Sequence, residues 1–181
     1  MKNKLTIAVI VLIVASAFRL LPHPHNVAPV AAIALFGGSV ISNRLLKFLL
    51  PLGVLLLSDT LVNGLLYNMP FNPFYDGWYV QYICYALIVV LGMFVQHNKA
   101  KTILAGSLAA SILFFLATNL AVWLSGMVGY PMNMEGLTAC YTAAIPFFIN
   151  SMAGDLMFSS LLFGVFAYVT NKQQITQIIT Q

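Results

Sequence analysis

Four polar or ionisable residues interrupt long apolar stretches of this 181-residue sequence, and they are its best candidates for binding or chemistry. They are Arg19, Asp59, Asn119 and Asp155, and in an alternating series of helices all four fall at a similar depth near one end. A charged side chain within a bilayer costs about 2.5–3.5 kcal/mol or more. We therefore expect Arg19 to pair with Asp59 or Asp155. The set is either an internal ion pair that fixes helix packing or the polar floor of a ligand cavity.

Two histidines lie in a proline-rich segment after the first apolar stretch. His23 and His25 are separated by one residue, and Pro22, Pro24 and Pro29 stiffen the chain around them. Two such imidazoles can bind a metal ion, but a metal site needs further ligands, and no acidic residue is near in sequence. The simpler interpretation is a rigid interfacial loop in which His23 and His25 are solvated.

A second loop, residues 67–79, is dense in aromatic residues, and the pattern continues into the following helix. The aromatic residues are Phe71, Phe74, Tyr75, Trp78, Tyr79, Tyr82 and Tyr85. Aromatic side chains at a membrane boundary often form only an interfacial belt. At this density they can also close over a flat organic ligand.

Motifs for enzyme chemistry are missing from the sequence. There is no zinc-protease motif, no nucleophile elbow and no phosphate-binding loop. The two cysteines, Cys84 and Cys140, are too few for a disulfide scaffold, and their spacing fits no zinc site. An enzyme is therefore disfavoured, and any active transport would need a partner or an ion gradient.

The composition is that of an integral membrane protein. Hydrophobic residues make up 61% of the chain and charged residues only 7%, whereas a soluble surface needs roughly 25–35% charged residues. This excludes a disordered chain, an ordinary soluble enzyme and a nucleic-acid-binding domain. We expect one domain over residues 1–181, with the lipid bilayer and a small molecule as its partners.

Six apolar stretches are candidate membrane-spanning helices, which predicts an all-α, six-helix bundle. They cover residues 5–21, 27–41, 45–67, 78–96, 102–127 and 146–170. The second is short for a span. The last is expected to begin at Pro146, because proline is tolerated in the first turn of a helix.

Charge predicts the orientation of these helices. Seven of the eight basic residues fall at the termini and in alternate loops, which indicates cytoplasmic N- and C-termini. The N-terminal stretch also resembles a signal peptide with a small-residue site at residues 15–17. Its removal would leave five spans and spoil the alternation of charge, so the retained helix is the favoured interpretation.

Three segments carry a family resemblance that covers nearly the whole chain. They are Arg19 to Gly38 (RLLPHPHNVAPVAAIALFGG), residues 50–59 (LPLGVLLLSD) and residues 141–155 (YTAAIPFFINSMAGD). They resemble a family of small six-helix bacterial inner-membrane proteins, which is itself similar to the substrate-binding S components of energy-coupling-factor (ECF) vitamin transporters. The solitary cobalamin S components are similar in size, helix count and the Pro-His-Pro loop.

The resemblance implies uptake of a vitamin-like molecule, with cobalamin as the leading candidate and no resident prosthetic group. It implies that Cys84, in the outer part of the fourth helix, ligates the cobalt of the transported cobalamin, with Cys140 as a weaker candidate. From their types and positions, the residues expected to contact the ligand are Arg19, His23, Asp59, Phe71, Tyr75, Trp78, Tyr82, Asn119 and Asp155. Typical S components dock on an ECF energising module through an Ala-xxx-Ala face of helix one, a spacing that Ala8, Ala15 and Ala17 do not give. Alternatives are a ligand-free assembly subunit of a membrane complex or a cobalamin-processing enzyme that uses Cys84.

Overall fold

The protein is all-helical over residues 2–24 and 26–179, the part of the chain that the computed structural model describes. Its helices are α1 (Lys2–Ala17), α2 (Val30–Val40), α3 (Leu46–Leu65), α4 (Trp78–Gly92), α5 (Ala100–Ser125) and α6 (Met134–Ile179). A short 3-10 turn, Phe18–Leu20, follows α1. The described residues contain no β-strand, and the prediction of an all-α chain with six helices is confirmed.

Three helices are long and apolar enough to cross a membrane. They are α3, α5 and the part of α6 from Met134 to Gln173. By contrast α2 and α4 are short apolar helices, about 16 Å and 22 Å long at 1.5 Å per residue. A hydrocarbon layer is about 30 Å thick, so neither of these two helices is long enough to cross it alone.

The centre of the fold is α2. It packs against each of the other five helices, and every residue from Ala31 to Gly38 is buried. A helix that is apolar on all sides is stable only when protein or lipid surrounds it completely. The segment that is shortest for a span is therefore the core around which the longer helices are arranged.

Glycine allows α2 and α4 to pack backbone against backbone. A Cβ atom on Gly38 would lie 2.1 Å from the carbonyl oxygen of Val89, and one on Gly92 would lie 2.3 Å from that of Leu35. Neither contact can be relieved by a side-chain rotation, because the opposing atoms belong to the backbone. The two helices can therefore approach this closely only with glycine at both positions.

The last helix begins twelve residues earlier than expected, so the prediction that it starts at Pro146 is wrong. It starts at Met134, where the Asn133 side chain accepts a hydrogen bond from the Gly136 amide at 2.9 Å. That is the usual N-cap interaction, and Glu135 adds a favourable charge in the first turn. Pro146 lies within the helix, because an interruption in apolar surroundings would leave backbone groups without partners.

We predict that Gly38→Ala lowers the free energy of unfolding of the detergent-solubilised protein by about 1–3 kcal/mol, the usual cost of overpacking. Thermal unfolding measures the change. The added methyl group forces α2 away from the Val89 carbonyl. Gly53→Ala in α3 is the matched control, since nothing lies within 4 Å of its added Cβ. The control should unfold at the same temperature as the wild type or higher. Equal stability of the two variants would contradict the backbone contact.

Candidate functional site

A cavity of about 530 Å³ lies at the end of the bundle where α1 and α3 end and α2 and α4 begin. Its volume is within the range of small-molecule sites, roughly 300–1,000 Å³. The exposed side chains of Tyr67 and Met69 form part of its rim. Its polar lining consists of Arg19, His23, Asn26, Asp59, Asn63, Tyr67, Tyr75, Gln81, Tyr85, Ser151 and Asp155.

An ion pair occupies one wall, as the cost of an unpaired charge predicts. Arg19 Nη2 lies 2.6 Å from Asp59 Oδ1, and both side chains are largely buried. The Arg19 guanidinium also donates to the Ser58 hydroxyl, and the Tyr82 hydroxyl donates to Asp59 Oδ2 at 2.7 Å. Both oxygens of Asp59 therefore have partners, and the group joins the end of α1 to α3 and α4.

The second carboxyl group of the cavity has a different environment. Asp155 is 6% exposed, and its Oδ2 lies 2.7 Å from the Ser111 hydroxyl. The buried hydroxyls of Ser107 and Ser159 continue this polar row between α5 and α6, 3.2 Å apart. No described Lys, Arg or His lies within ion-pair distance of Asp155, so the Arg19 pairing is with Asp59 alone.

Aromatic rings connect the exposed loop to the interior of the cavity. Edge-to-face contacts lead from Phe74 through Trp78 and Tyr82 to Tyr85. The Tyr85 ring then stacks in parallel on Phe114, with centroids 5.8 Å apart. Such contacts fix ring positions, so the wall formed by Tyr85 and Phe114 is rigid.

Tyr75, in the loop that precedes α4, contributes a neutral phenol to the lining. Burial and, to a smaller extent, the nearby Asp59 carboxylate together raise the pKa of Tyr75 to about 12. The hydroxyl therefore stays protonated at physiological pH and can donate a hydrogen bond into the cavity.

The structure brings five of the expected ligand contacts together and leaves four outside the lining. Arg19, His23, Asp59, Tyr75 and Asp155 line the cavity. Outside it, the exposed Phe71 ring covers Gly64, and Trp78 packs against neighbouring rings. Tyr82 acts through its bond to Asp59. Asn119 donates to the Phe115 carbonyl of its own helix at 2.8 Å.

The cysteines lie away from the cavity. Cys84 is 1% exposed in the packed face of α4 and does not line the cavity, so the expectation of an accessible thiol at this site is not met. Cys140 is also buried, with its sulfur 3.6 Å from the Asn119 carbonyl oxygen. As arranged, neither sulfur can reach a molecule in the cavity.

The histidine segment offers a single described ring to the site. His23 Nδ1 lies 2.7 Å from the Leu21 carbonyl oxygen, which occupies that nitrogen, while His25 lies outside the described residues. Across residues 2–24 and 26–179, no three His, Cys, Asp or Glu side chains are grouped so as to hold a metal ion.

Several polar residues of the cavity lining and of the serine row beside Asp155 were missed from sequence, although a periodic signal was present. Ser107 and Ser111 are four residues apart in α5, and Ser151, Asp155 and Ser159 are four apart in α6. Residues at this spacing share one helix face, so two polar stripes could have been matched to each other. Gln81 and Tyr85 form a similar pair in α4 and face the cavity.

We predict that Arg19→Ala destabilises the protein by about 3 kcal/mol, more than the double variant Arg19→Ala/Asp59→Ala does. The single change leaves a buried carboxylate without its partner, whereas the double change removes both charges. Thermal unfolding in detergent measures both. The double variant Arg19→Ala/Asp155→Ala is the control. It should recover none of the stability that Arg19→Ala loses, because Asp155 is not the partner of Arg19. Recovery by the Asp155 combination alone would contradict the pairing.

Comparison with known proteins adds a family but no activity. No curated protein and no solved structure matches the chain. One family model matches residues 1–178, and its description is "Family of unknown function (DUF6580)". Because the match covers almost the whole sequence, the chain belongs to this family of unknown function.

Proposed function

We propose that this protein is the substrate-binding part of an uptake system in a bacterial inner membrane, and that it captures a vitamin-like small molecule. In this proposal six helices form a multi-pass bundle with both termini in the cytoplasm. The cavity then faces the periplasm, and described residues of the segments that follow α1 and α3 border its mouth.

The cavity is the observation that carries the proposal. It combines a buried ion pair, a second buried carboxyl group and a rigid aromatic wall, and it is concave on the scale of a small organic molecule. A purely structural subunit has no need of an open polar cavity, since polar groups in a membrane are costly. A few convergent polar groups in a largely apolar pocket are the usual composition of a ligand site.

Cobalamin remains the ligand that the family resemblance implies, but the geometry favours a smaller molecule. A corrin ring with its nucleotide arm is much larger than a drug-sized ligand, and the cavity has about 530 Å³. Binding of cobalamin would require the loop around Tyr75 to move outward. Ligation of cobalt by Cys84 would also require α4 to turn, because that thiol lies in the core.

The surface of α1 bears on how uptake would be energised. Ala8 and Ala15 are buried against the bundle, whereas Ile10, Ile13 and Val14 are more than half exposed. An ECF energising module that docks on α1 would therefore meet bulky side chains instead of small ones. This favours a protein that works alone or with a different partner.

The orientation predicts the result of reporter fusions. Fusions after Lys47, Lys99 and Lys172 should report the cytoplasm, and fusions beside Asp76 and Glu135 the periplasm, because basic residues are retained inside. Alkaline phosphatase and a fluorescent protein make a complementary pair of reporters. A periplasmic C-terminus would overturn the topology and, with it, the direction of the cavity.

Ligand capture predicts that a small molecule accompanies the protein during mild purification. Native mass spectrometry should detect it, and Asp59→Ala should lose it while Ser160→Ala, which changes an exposed hydroxyl of α6, should retain it. Recovery of no ligand, with no binding from a vitamin panel, would support an assembly subunit instead.

An absorbance spectrum tests the cobalamin version separately. If cobalamin binds through a thiolate, its spectrum should shift in the wild type and in Cys140→Ser, and the shift should disappear in Cys84→Ser. From the burial of Cys84 we expect no difference between the two variants. A shift that depends on Cys84 would show that the helix rearranges to present its thiol.

A further inference from the structure

Asp155 is a buried carboxyl group that lacks a cationic partner among the described residues. Arg19 is committed to Asp59 at 2.6 Å. The helices packed against α6 supply no other cation at this depth: α2 has no ionisable residue, α1 has Lys2 and Lys4 at its far end, and α5 has only Lys101 in its first turn. An isolated buried carboxylate is too costly to persist, so the group must take up a proton or a cation.

The hydrogen bonds of Ser111 are compatible with both states of Asp155. Its hydroxyl has a single hydrogen but two neighbours, the Ser107 carbonyl oxygen at 3.0 Å and Asp155 Oδ2 at 2.7 Å. When Ser111 donates to the carbonyl, Asp155 has to donate to Ser111 and is a carboxylic acid. When Ser111 rotates and donates to Asp155, the carboxylate is ionised. One hydroxyl rotation therefore accommodates the gain and loss of the proton.

The second oxygen of Asp155, Oδ1, has no described hydrogen-bond donor, whereas Oδ2 bonds to Ser111. Among the described residues, however, no buried side-chain oxygen lacks a partner. Oδ1 must therefore be reachable from the cavity that Asp155 lines, and it is free to accept a hydrogen bond from a bound molecule.

Once Asp155 is ionised, it is the carboxylate of the lining that no described cation pairs with, which favours a cationic ligand beside it. Arg19 and Asp59 cancel each other. The free amides at the start of α2 contribute about half a positive charge, which is less than the full charge of Asp155. The remaining titratable groups of the lining are His23 and the phenols of Tyr67, Tyr75 and Tyr85.

A further feature favours a positively charged molecule. The parallel rings of Tyr85 and Phe114 line the same cavity, and aromatic faces attract cations.

We propose that Asp155, supported by its hydrogen bond with Ser111, binds the ammonium group of an organic cation, which packs against the wall formed by Tyr85 and Phe114. This inference rests on the proposed ligand-binding function and names its substrate class, an amine protonated at physiological pH. On binding, the Asp155 carboxyl group releases its proton to water, Ser111 turns to donate to the carboxylate, and an ammonium N–H donates to Oδ1.

The proposal is tested on the full chain in detergent with two probes of nearly the same shape, one a cation and the other neutral. Phenethylamine and its neutral isostere 2-phenylethanol form one pair, and benzyltrimethylammonium and sodium chloride are added separately. Calorimetry should show that phenethylamine binds and releases about one proton per site, and that the alcohol binds at least about tenfold more weakly. Asp155→Asn should weaken the binding of phenethylamine by about ten- to a hundredfold and abolish the proton release.

Glu135→Gln is the matched control, because it removes one carboxylate from the same helix at an exposed position. At physiological salt its affinity for phenethylamine should be unchanged, since exposed charges are screened. Equal binding of amine and alcohol, or no binding of any ammonium probe at millimolar concentration, overturns the proposal. Stronger binding of sodium than of the amines would make Asp155 an inorganic-cation site, which also overturns it.

Carbodiimide labelling provides a readout that needs no variant. The O–H group of a protonated carboxyl adds across one N=C bond of dicyclohexylcarbodiimide to give an O-acylisourea. The acyl group then moves from oxygen to nitrogen and leaves a stable N-acylurea on the protein. Peptide mass spectrometry should find the label on Asp155 and not on the paired Asp59. Benzyltrimethylammonium, which has no N–H that the activated carboxyl group could acylate, should slow the labelling, while 2-phenylethanol should not. A co-purified ligand that is neutral or anionic would end this inference and leave the proposed function standing, whereas absence of any ligand would remove the proposed function itself.

Discussion

The ion pair between Arg19 and Asp59 determines how this end of the bundle is built. A lone charge at this depth would be too costly, and the pair is stable because each group has additional partners: Ser58 for the guanidinium and Tyr82 for the carboxylate. These contacts hold the end of α1 against α3 and the first turns of α4. The cavity wall is therefore fixed by electrostatics, while most of the remaining core is fixed by apolar packing.

The cavity itself follows from the shortness of α2. Its eleven residues reach about 16 Å, roughly half the thickness of a hydrocarbon layer. Glycines allow α2 to pack closely against α4, and five helices surround it. Because α2 is short, space remains between these helices beyond its first turn. Ala28, Val30 and Ala31 accordingly line the cavity. A longer central helix would fill this space with side chains.

The end of the bundle at which Arg19, Asp59 and Asp155 meet could be predicted from sequence, whereas the rotation of each helix could not. The cost of burying a charge was enough to anticipate a partner for Arg19, but the choice of Asp59 over Asp155 depends on which faces meet. Cys84 and Tyr85 are neighbours in sequence, yet only Tyr85 faces the cavity. The start of α6 was missed for another reason: the N-cap Asn133 is a local signal, and it was outweighed by the presence of Pro146.

The two carboxyl groups of the cavity have opposite properties because their neighbours differ. The carboxylate of Asp59 is paired with Arg19 and accepts a hydrogen bond from Tyr82, so its ionised form is satisfied. A ligand would gain little by displacing either partner. Asp155 has one hydroxyl that either donates or accepts, so both of its protonation states are accessible. A binding site needs a fixed framework and a group whose free energy changes when the ligand arrives. The ion pair supplies the first of these, and the half-satisfied carboxyl group supplies the second.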